Sequence, residues 1–307
     1  MLPGAGRSWL LTGSVANTAW WWPPAHPRTW AAMVGAVLLV ALTTTVGVYL
    51  SHLDRGGRHG GFGAGATSAP DRVDIVATIN RVEAARNDAQ VRVFVTVVGK
   101  YAKGGDDVFP TQDLTVETSS LSSGELTYPA GKRIVSKDML MDLPGGDIAD
   151  YPFDRYSTTL AFAATIGGEP APTAVEIVDS DPGFVTRSTV SGDESAPGFD
   201  LQLRRTRGTF AMVWLMYVIM WALALSVLTG ALVMGHRRLG MVWPGLGWMA
   251  ASLFALAGYR NTAPGQPPIG CLLDYTVFLW AEAIVAFSMV YAVLRGTKVE
   301  VAAEAGR

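Results

Sequence analysis

The chain has 307 residues, of which 50% are hydrophobic and only 16% are charged. Soluble globular domains carry about 25% charged residues, so this composition excludes an ordinary cytosolic protein. The charges are also divided unevenly along the chain. Residues 71–203 contain 21 acidic and 11 basic residues although the whole chain has a net charge of only −2, so the remainder is basic. An acidic segment repels phosphate groups, which argues against nucleic acid as a partner.

Four segments are long and apolar enough to cross a bilayer, which takes about 20 helical residues. The first is interpreted as an uncleaved membrane anchor behind an N-terminal tail, residues 1–29. A cleaved signal peptide is the competing interpretation, but residues 51–54 offer no small-x-small cleavage site. The four predicted spans are 30–50, 209–234, 242–259 and 272–294.

The orientation follows from the short loops, since cytoplasmic loops collect lysine and arginine. Arg237 and Arg238 follow the second predicted span, and Arg295 and Lys298 follow the fourth. Both places are therefore expected to be cytoplasmic. The sequence predicts a multi-pass plasma (inner) membrane protein with both termini in the cytoplasm, including the tail 295–307.

A glycine-rich linker, 51–70, and a long segment with strand periodicity, 71–208, separate the first two spans. In the segment, Val91, Val93 and Val95 alternate with Arg92, Phe94 and Thr96, and this period of two is typical of half-buried strands. Turn residues separate the strands and no amphipathic helix intervenes, so we expect an all-β, extracytoplasmic β-sandwich, with one transmembrane helix before it and three after it. The nine predicted strands are 73–79, 91–97, 114–117, 125–128, 133–135, 156–166, 174–178, 184–189 and 199–204.

The most specific motif is Asp-Tyr-Pro-Phe-Asp-Arg-Tyr at residues 150–156. Pro152 fixes a turn and Phe153 can close the bottom of a sandwich. Asp154 can accept backbone N–H groups or pair with a cation. The motif therefore predicts a tight turn with a functional carboxylate directly before a strand.

Three arginines lie where the last predicted strand meets the second span: Arg204, Arg205 and Arg207. Their place on the outer side opposes the positive-inside tendency, and an unpaired cation beside hydrocarbon is unfavourable. We therefore expect Asp154 to pair with Arg204 or Arg205. The alternative is that these arginines contact anionic lipid headgroups.

This motif and its junction with the membrane resemble pentameric ligand-gated ion channels. In that family an aromatic-Pro-Phe-Asp loop precedes a strand of an extracellular sandwich, and the sandwich ends in basic residues that continue into a transmembrane helix. The resemblance implies the same pairing of Asp154 with Arg204 or Arg205. It does not extend to the expected pore helix, because residues 242–259 contain Trp243, Pro244 and other residues unsuited to a polar lining.

The order of one span, a sandwich and three spans also resembles an uncharacterised family of bacterial four-span membrane proteins, known only as a domain of unknown function. That resemblance covers nearly the full chain. It implies an architecture and no activity.

The sequence offers no clear catalytic or metal site, and we expect no cofactor. The four histidines lie in predicted tails, the linker or the inner loop, and the chain has one cysteine, Cys271. No base is therefore placed beside a nucleophile inside the sandwich. The aspartates at 138, 142, 147, 150 and 154 match no calcium-binding loop, and turn formation is the preferred interpretation.

Two acidic residues, Asp274 and Glu282, fall in the last predicted span. They are about 80° apart around a helix, so both can face the same side. Two interpretations remain open for Glu282: part of a proton or ion route, or a single carboxyl hydrogen-bonded to a neighbouring helix.

The sequence thus predicts a non-enzymatic binding or assembly module of the cell envelope. Its expected partners are the lipid bilayer, envelope proteins or further copies of the chain. The alternative is a channel-like oligomer subunit, and an enzyme is the third choice.

Overall fold

The structure, a computed structural model, describes residues 45, 47–50, 52–53, 61–193 and 196–306. The predicted N-terminal tail, most of the first predicted span and most of residues 51–60 lie outside the described residues. Thirteen strands lie in the described part of the chain. They are β1 (Phe62–Gly65), β2 (Arg72–Glu83), β3 (Asp88–Val98), β4 (Ala102–Lys103), β5 (Asp106–Pro110), β6 (Leu114–Thr118), β7 (Glu125–Tyr128), β8 (Lys137–Asp142), β9 (Arg155–Ile166), β10 (Glu169–Ala171), β11 (Thr173–Asp179), β12 (Phe184–Gly192) and β13 (Pro197–Arg205).

Two sheets share one apolar core. One has the strand order β1-β11-β2-β3-β8, and the other has the order β12-β13-β9-β6-β7 with β10 paired to β9. The alternating valines of β3 are buried in the same core as Phe162 of β9 and Phe199 of β13. The sheet-rich, sandwich-like domain expected from the period-two pattern is therefore confirmed.

One predicted strand differs from the structure. Residues 133–135 do not form a strand, and the strand in this region is β8, which begins at Lys137. The side chain of Ile134 is buried although the residue lies outside any strand, and its backbone N–H donates to the carbonyl of Val108 at 2.7 Å. Met139 and Met141 of β8 supply the alternating apolar positions instead.

The predicted linker also differs, because β1 lies within it and pairs antiparallel with β11. Gly65, at the end of β1, has a φ of +93° and lies so close to the carbonyl of Thr173 that a Cβ would clash. At this position glycine therefore allows the close approach of two backbones.

Three helices follow the sandwich: α1 (Arg207–His236), α2 (Trp243–Arg260) and α3 (Leu279–Ala305), and a π-helical segment, Asp274–Phe278, leads directly into α3. By length and composition, α1 and the segment Asp274–Ala305 can each cross a membrane. The first contains the predicted span 209–234, and the second contains all but the first two residues of the predicted span 272–294. The predicted span 242–259 falls on α2, which has 18 residues.

The three helices pack on a common apolar core. Met220 of α1, Met249 of α2 and Val285 of α3 are all fully buried in it. α3 extends to Ala305, so the segment predicted as a tail is mostly helical. Glu300 ties this extension to the α1–α2 loop, because its carboxylate accepts the N–H of Met241 at 2.7 Å.

Candidate functional site at the junction of the sandwich and the helices

A buried ion pair between Asp154 and Arg205 lies where the sandwich meets the helices. Arg205 Nη2 lies 2.9 Å from Asp154 Oδ2, and Arg205 Nε lies 3.1 Å from both carboxylate oxygens. The Arg205 side chain is 4% exposed and the Asp154 side chain is 0% exposed. The hydroxyl of Tyr156 also donates to Asp154 Oδ2, at 3.0 Å. A charge-assisted contact removed from water in this way leaves a costly buried charge if either partner is lost.

Aromatic rings surround the guanidinium of Arg205. Its central carbon lies 4.3 Å from the ring centroid of Phe184 and 5.0 Å from that of Tyr151, which are cation–π distances. Burial raises the pKa values of the Tyr151 and Tyr156 hydroxyls above their usual range. Both tyrosines therefore stay protonated and act as hydrogen-bond donors.

The alternation of β13 explains why Arg205 is the partner. Leu201 and Leu203 face the core, so Arg205 lies on the same side and Arg204 points outwards. Arg204 is exposed and forms no ion pair with any described residue. Of the two arginines expected to meet Asp154, the structure brings only Arg205 to it.

The turn before β9 places Tyr151 and Phe153 differently from the expectation. Tyr151 is fully buried, whereas Phe153 is 51% exposed and its ring lies 5.2 Å from that of Phe210 on α1. Pro152 lies between them, after a cis peptide bond, and is itself buried. Phe153 thus does not close the sandwich, because the turn directs it outwards to α1 while Tyr151 takes the buried position.

Tyr151 connects this turn to the loop between α2 and α3. Its hydroxyl donates to the carbonyl of Pro264 at 3.0 Å, and its ring packs with Val213 of α1, Cys271 and Leu273. The loop also approaches Arg205: a Cβ at Gly265, where φ is +77°, would lie 2.5 Å from Arg205 Nη1. Four elements therefore meet at the ion pair: the turn, β13, α1 and the α2–α3 loop.

β13 continues into α1 without a linker. Thr206, the residue between them, caps the helix because its hydroxyl oxygen accepts the N–H of Thr209 at 3.2 Å. Its own N–H donates to the carbonyl of Gly183 at 3.0 Å, in the turn before β12. These two hydrogen bonds hold the start of α1 to the end of the sandwich.

A second buried ion pair, between Arg260 and Asp274, closes the α2–α3 loop. Two guanidinium nitrogens of Arg260 each lie 2.8 Å from a carboxylate oxygen of Asp274. Arg260 also donates to the carbonyls of Pro267 and Pro268, both at 2.8 Å. The side chains are 5% and 1% exposed. Sequence reasoning identified Asp274 and missed its partner, although an arginine ending one apolar helix and an aspartate starting the next was a usable signal.

Glu282, the other predicted intramembrane acid, lies in a separate place. It lines an open apolar groove between α2 and α3, together with Leu253, Phe254 and several alanines. Its carboxyl group forms no hydrogen bond or ion pair with any described residue. The π-helical segment between Asp274 and Glu282 shifts the helix register, and Asp274 is engaged with Arg260, so the two acids do not form one site.

The aspartates of the acidic run are dispersed. Asp138 pairs with Arg92, Asp142 caps the loop at residues 120–122, and Asp147 accepts the N–H of Ala149. No group of three or more metal-ligating side chains occurs among the described residues. Each of these aspartates thus has a local role in a turn or a pair.

Two family models match the chain, and they meet at this junction. Residues 63–203 match "Domain of unknown function (DUF4436)". Residues 205–299 match "Domain of unknown function (DUF8686)". Both matches fit an uncharacterised family, and neither description names an activity. No curated protein matches the chain. The boundary between the matched segments falls at Arg204, next to the buried Arg205 at the end of β13.

Proposed function

We propose that this chain is an integral membrane protein whose extracytoplasmic sandwich is held stiffly on a helical membrane domain. It acts by binding or assembly in the cell envelope and catalyses no reaction. The observation that carries this proposal is the buried junction of Asp154, Arg205 and Tyr151 with the α2–α3 loop. Contacts of this kind transmit a change at the sandwich to the helices, because neither side can shift without breaking them.

Exposed apolar side chains on the helices support the membrane placement. Phe254 of α2 is 82% exposed and Phe287 of α3 is 74% exposed. Such surfaces are unfavourable in water and normal against lipid. We propose that residues 30–50 and α2 cross the bilayer together with α1 and α3, which gives four spans.

The basic loops support a topology with both termini in the cytoplasm. A reporter fused after Arg238 or at Arg307 is expected to be active only in the cytoplasm, and one inserted near Gly104 only outside it. An external Arg307 would overturn the topology. Active reporters on the same side at Gly104 and Arg238 would overturn the spanning of α1.

The junction also supports a second candidate, a channel-like oligomer subunit. An Asp–Arg pair between the loop before β9 and the end of β13 is the contact implied by the resemblance to pentameric ligand-gated ion channels. Particle images of the detergent-purified full chain test this candidate directly. A ring with conductance in planar bilayers supports a channel, whereas a monomer or dimer without conductance supports a binding or assembly module.

A further inference from the structure

Four arginines lie near the junction without an acidic partner among the described residues. Arg155 begins β9, Arg187 lies on β12, Arg204 lies on β13 and Arg207 begins α1. All four are exposed. Six ion pairs occur in the described part of the chain, and none of them includes any of these arginines.

Arg155 and Arg204 lie directly opposite each other on the paired strands β9 and β13. Opposite residues in an antiparallel pair have Cβ atoms about 5 Å apart, and like charges there are destabilising. Arg187 lies one strand further along, opposite Gln202. The sheet thus holds three cations on one outward face, an arrangement that an anion would stabilise.

Two cavities meet where Arg155 and Arg204 lie opposite each other, and both arginines line each cavity. One has a volume of about 300 Å³ and is also lined by Arg187. The other has a volume of about 510 Å³ and is also lined by Arg207. Among the described residues that line them, Asp154 is the one acid, and Arg205 already neutralises it.

The larger cavity combines these cations with an apolar wall. Phe153, Val185, Phe210 and Ala211 line it. Aromatic rings continue down α1 from there: Phe210 and Trp214 have ring centroids 6.3 Å apart. Tryptophan, with its amphipathic ring, favours the level of lipid headgroups.

We infer that this cavity binds the phosphate headgroup of an anionic phospholipid from the bilayer surface on the sandwich side. The phosphate lies over Arg155 and Arg204, since guanidinium groups bind phosphate through paired N–H donors. The acyl chains follow Phe210 and Trp214 along α1. The inference rests on the proposed membrane placement and adds a ligand class to the junction.

The test uses the full chain purified in detergent, with bound lipids counted by native mass spectrometry. The probes are phosphatidylglycerol, which is anionic, phosphatidylcholine, which is zwitterionic, and inorganic phosphate. The double variant Arg155→Gln with Arg204→Gln is compared with Arg92→Gln, an exposed arginine of the other sheet that pairs with Asp138. Because the double variant removes a repulsion, it is expected to unfold at the same temperature as the wild type or higher when lipid is absent.

The wild type and Arg92→Gln are expected to retain phosphatidylglycerol in preference to phosphatidylcholine. The double variant is expected to bind phosphatidylglycerol about 25-fold more weakly, at about fivefold for each cation removed. Equal retention of both lipids by the wild type, or unchanged phosphatidylglycerol binding by the double variant, would overturn the inference. Displacement of phosphatidylglycerol by millimolar inorganic phosphate would overturn the assignment to a lipid.

Membrane fractionation of the same chain separates this test from that of the proposed function. A chain that does not sediment with membranes overturns the proposed membrane placement. A chain that does so, but shows no headgroup selectivity, overturns the lipid site alone.

Discussion

Arg204 and Arg205 are neighbours in the sequence and have opposite surroundings. Arg205 lies in the core beside Asp154, with Nη2 2.9 Å from the carboxylate, whereas Arg204 points outwards and lies opposite Arg155. The strand alternation separates them. Arg205 thus holds the turn before β9 to the end of β13, and Arg204 is left for an external anion.

Removing the carboxylate of Asp154 should destabilise the protein strongly. In Asp154→Asn the guanidinium of Arg205 stays buried without its counter-charge, and breaking a pair of this kind costs about 3 to 5 kcal/mol. The free energy of unfolding of the detergent-purified chain measures the effect.

A double-mutant cycle that combines Asp154→Asn with Arg205→Gln tests the interaction directly. The exposed pair of Asp138 and Arg92 serves as the control. The effects of Asp154→Asn and Arg205→Gln should be far from additive. Asp138→Asn should change stability little, because its pair with Arg92 is exposed to solvent. Additive effects at Asp154 and Arg205 would show that the two side chains do not interact.

The hydroxyl of Tyr151 should couple the sandwich to the α2–α3 loop. Tyr151→Phe removes the hydrogen bond to Pro264, which contributes about 1 kcal/mol, and keeps the ring in place. Backbone hydrogen exchange in residues 261–270 should become faster. Tyr128→Phe is the matched control, because the buried Tyr128 hydroxyl has no hydrogen-bond partner in the described structure. Equal exchange rates in the wild type and Tyr151→Phe would contradict the coupling.

Arg260 should be irreplaceable even by lysine. Its guanidinium binds both oxygens of Asp274 and two proline carbonyls, and a lysine ammonium cannot reproduce that planar set of donors. Arg260→Lys should therefore expose the loop 261–273 to protease under conditions in which the wild type is resistant. Arg295→Gln, at an exposed arginine of α3 without an ion pair in the described structure, should leave cleavage unchanged. Resistance of Arg260→Lys equal to that of the wild type would refute this role.

Local patterns predicted much of this architecture. The valines of β3 revealed a strand because their burial follows from the period of the backbone, and α1 followed from an uncharged apolar run. The same alternation at Leu201 and Leu203 could have selected Arg205 over Arg204. That step needed only the assumption that β13 continues to Arg205, one residue beyond the predicted strand 199–204.

Other features depend on contacts between distant parts of the chain and could not be read locally. β1 is a strand because it pairs with β11, more than 100 residues later. The partner of Asp274 depends on the path of the proline-containing loop, which returns Arg260 to the start of the next helix. The predicted position of Phe153 was wrong because the sequence did not indicate which aromatic residue beside Pro152 would be buried.

Asp142 should make the stability of the sandwich sensitive to acid. Hydrogen bonds from the Ser120 and Ser122 hydroxyls and from backbone N–H groups lower the pKa of its carboxyl below the usual range. Its contribution is therefore present above the unfolded pKa of about 3.9 and is lost as the pH falls through the lower folded value. The unfolding temperatures of the wild type and Asp142→Ala should differ at pH 6 and converge towards pH 2. A constant difference over this range would contradict the assignment to the ionised carboxylate.

Replacing Glu282 by glutamine should leave folding intact. The side chain lies in the apolar groove between α2 and α3 and has no ionic partner among the described residues, so a neutral group of the same shape loses no contact. A neutral carboxyl in such a place is also less costly than a charged one.

Asp274→Asn provides the contrast for Glu282→Gln, because Asp274 is paired with Arg260 and its change should destabilise the chain. Unfolding temperature and yield of the detergent-purified variants measure both effects. A loss of stability in Glu282→Gln as large as that in Asp274→Asn would mean that Glu282 is charged and paired in the membrane. Normal folding of Glu282→Gln combined with the loss of an ion flux measured for the wild type would instead favour the channel-like subunit, because the carboxyl would then act on a permeating ion.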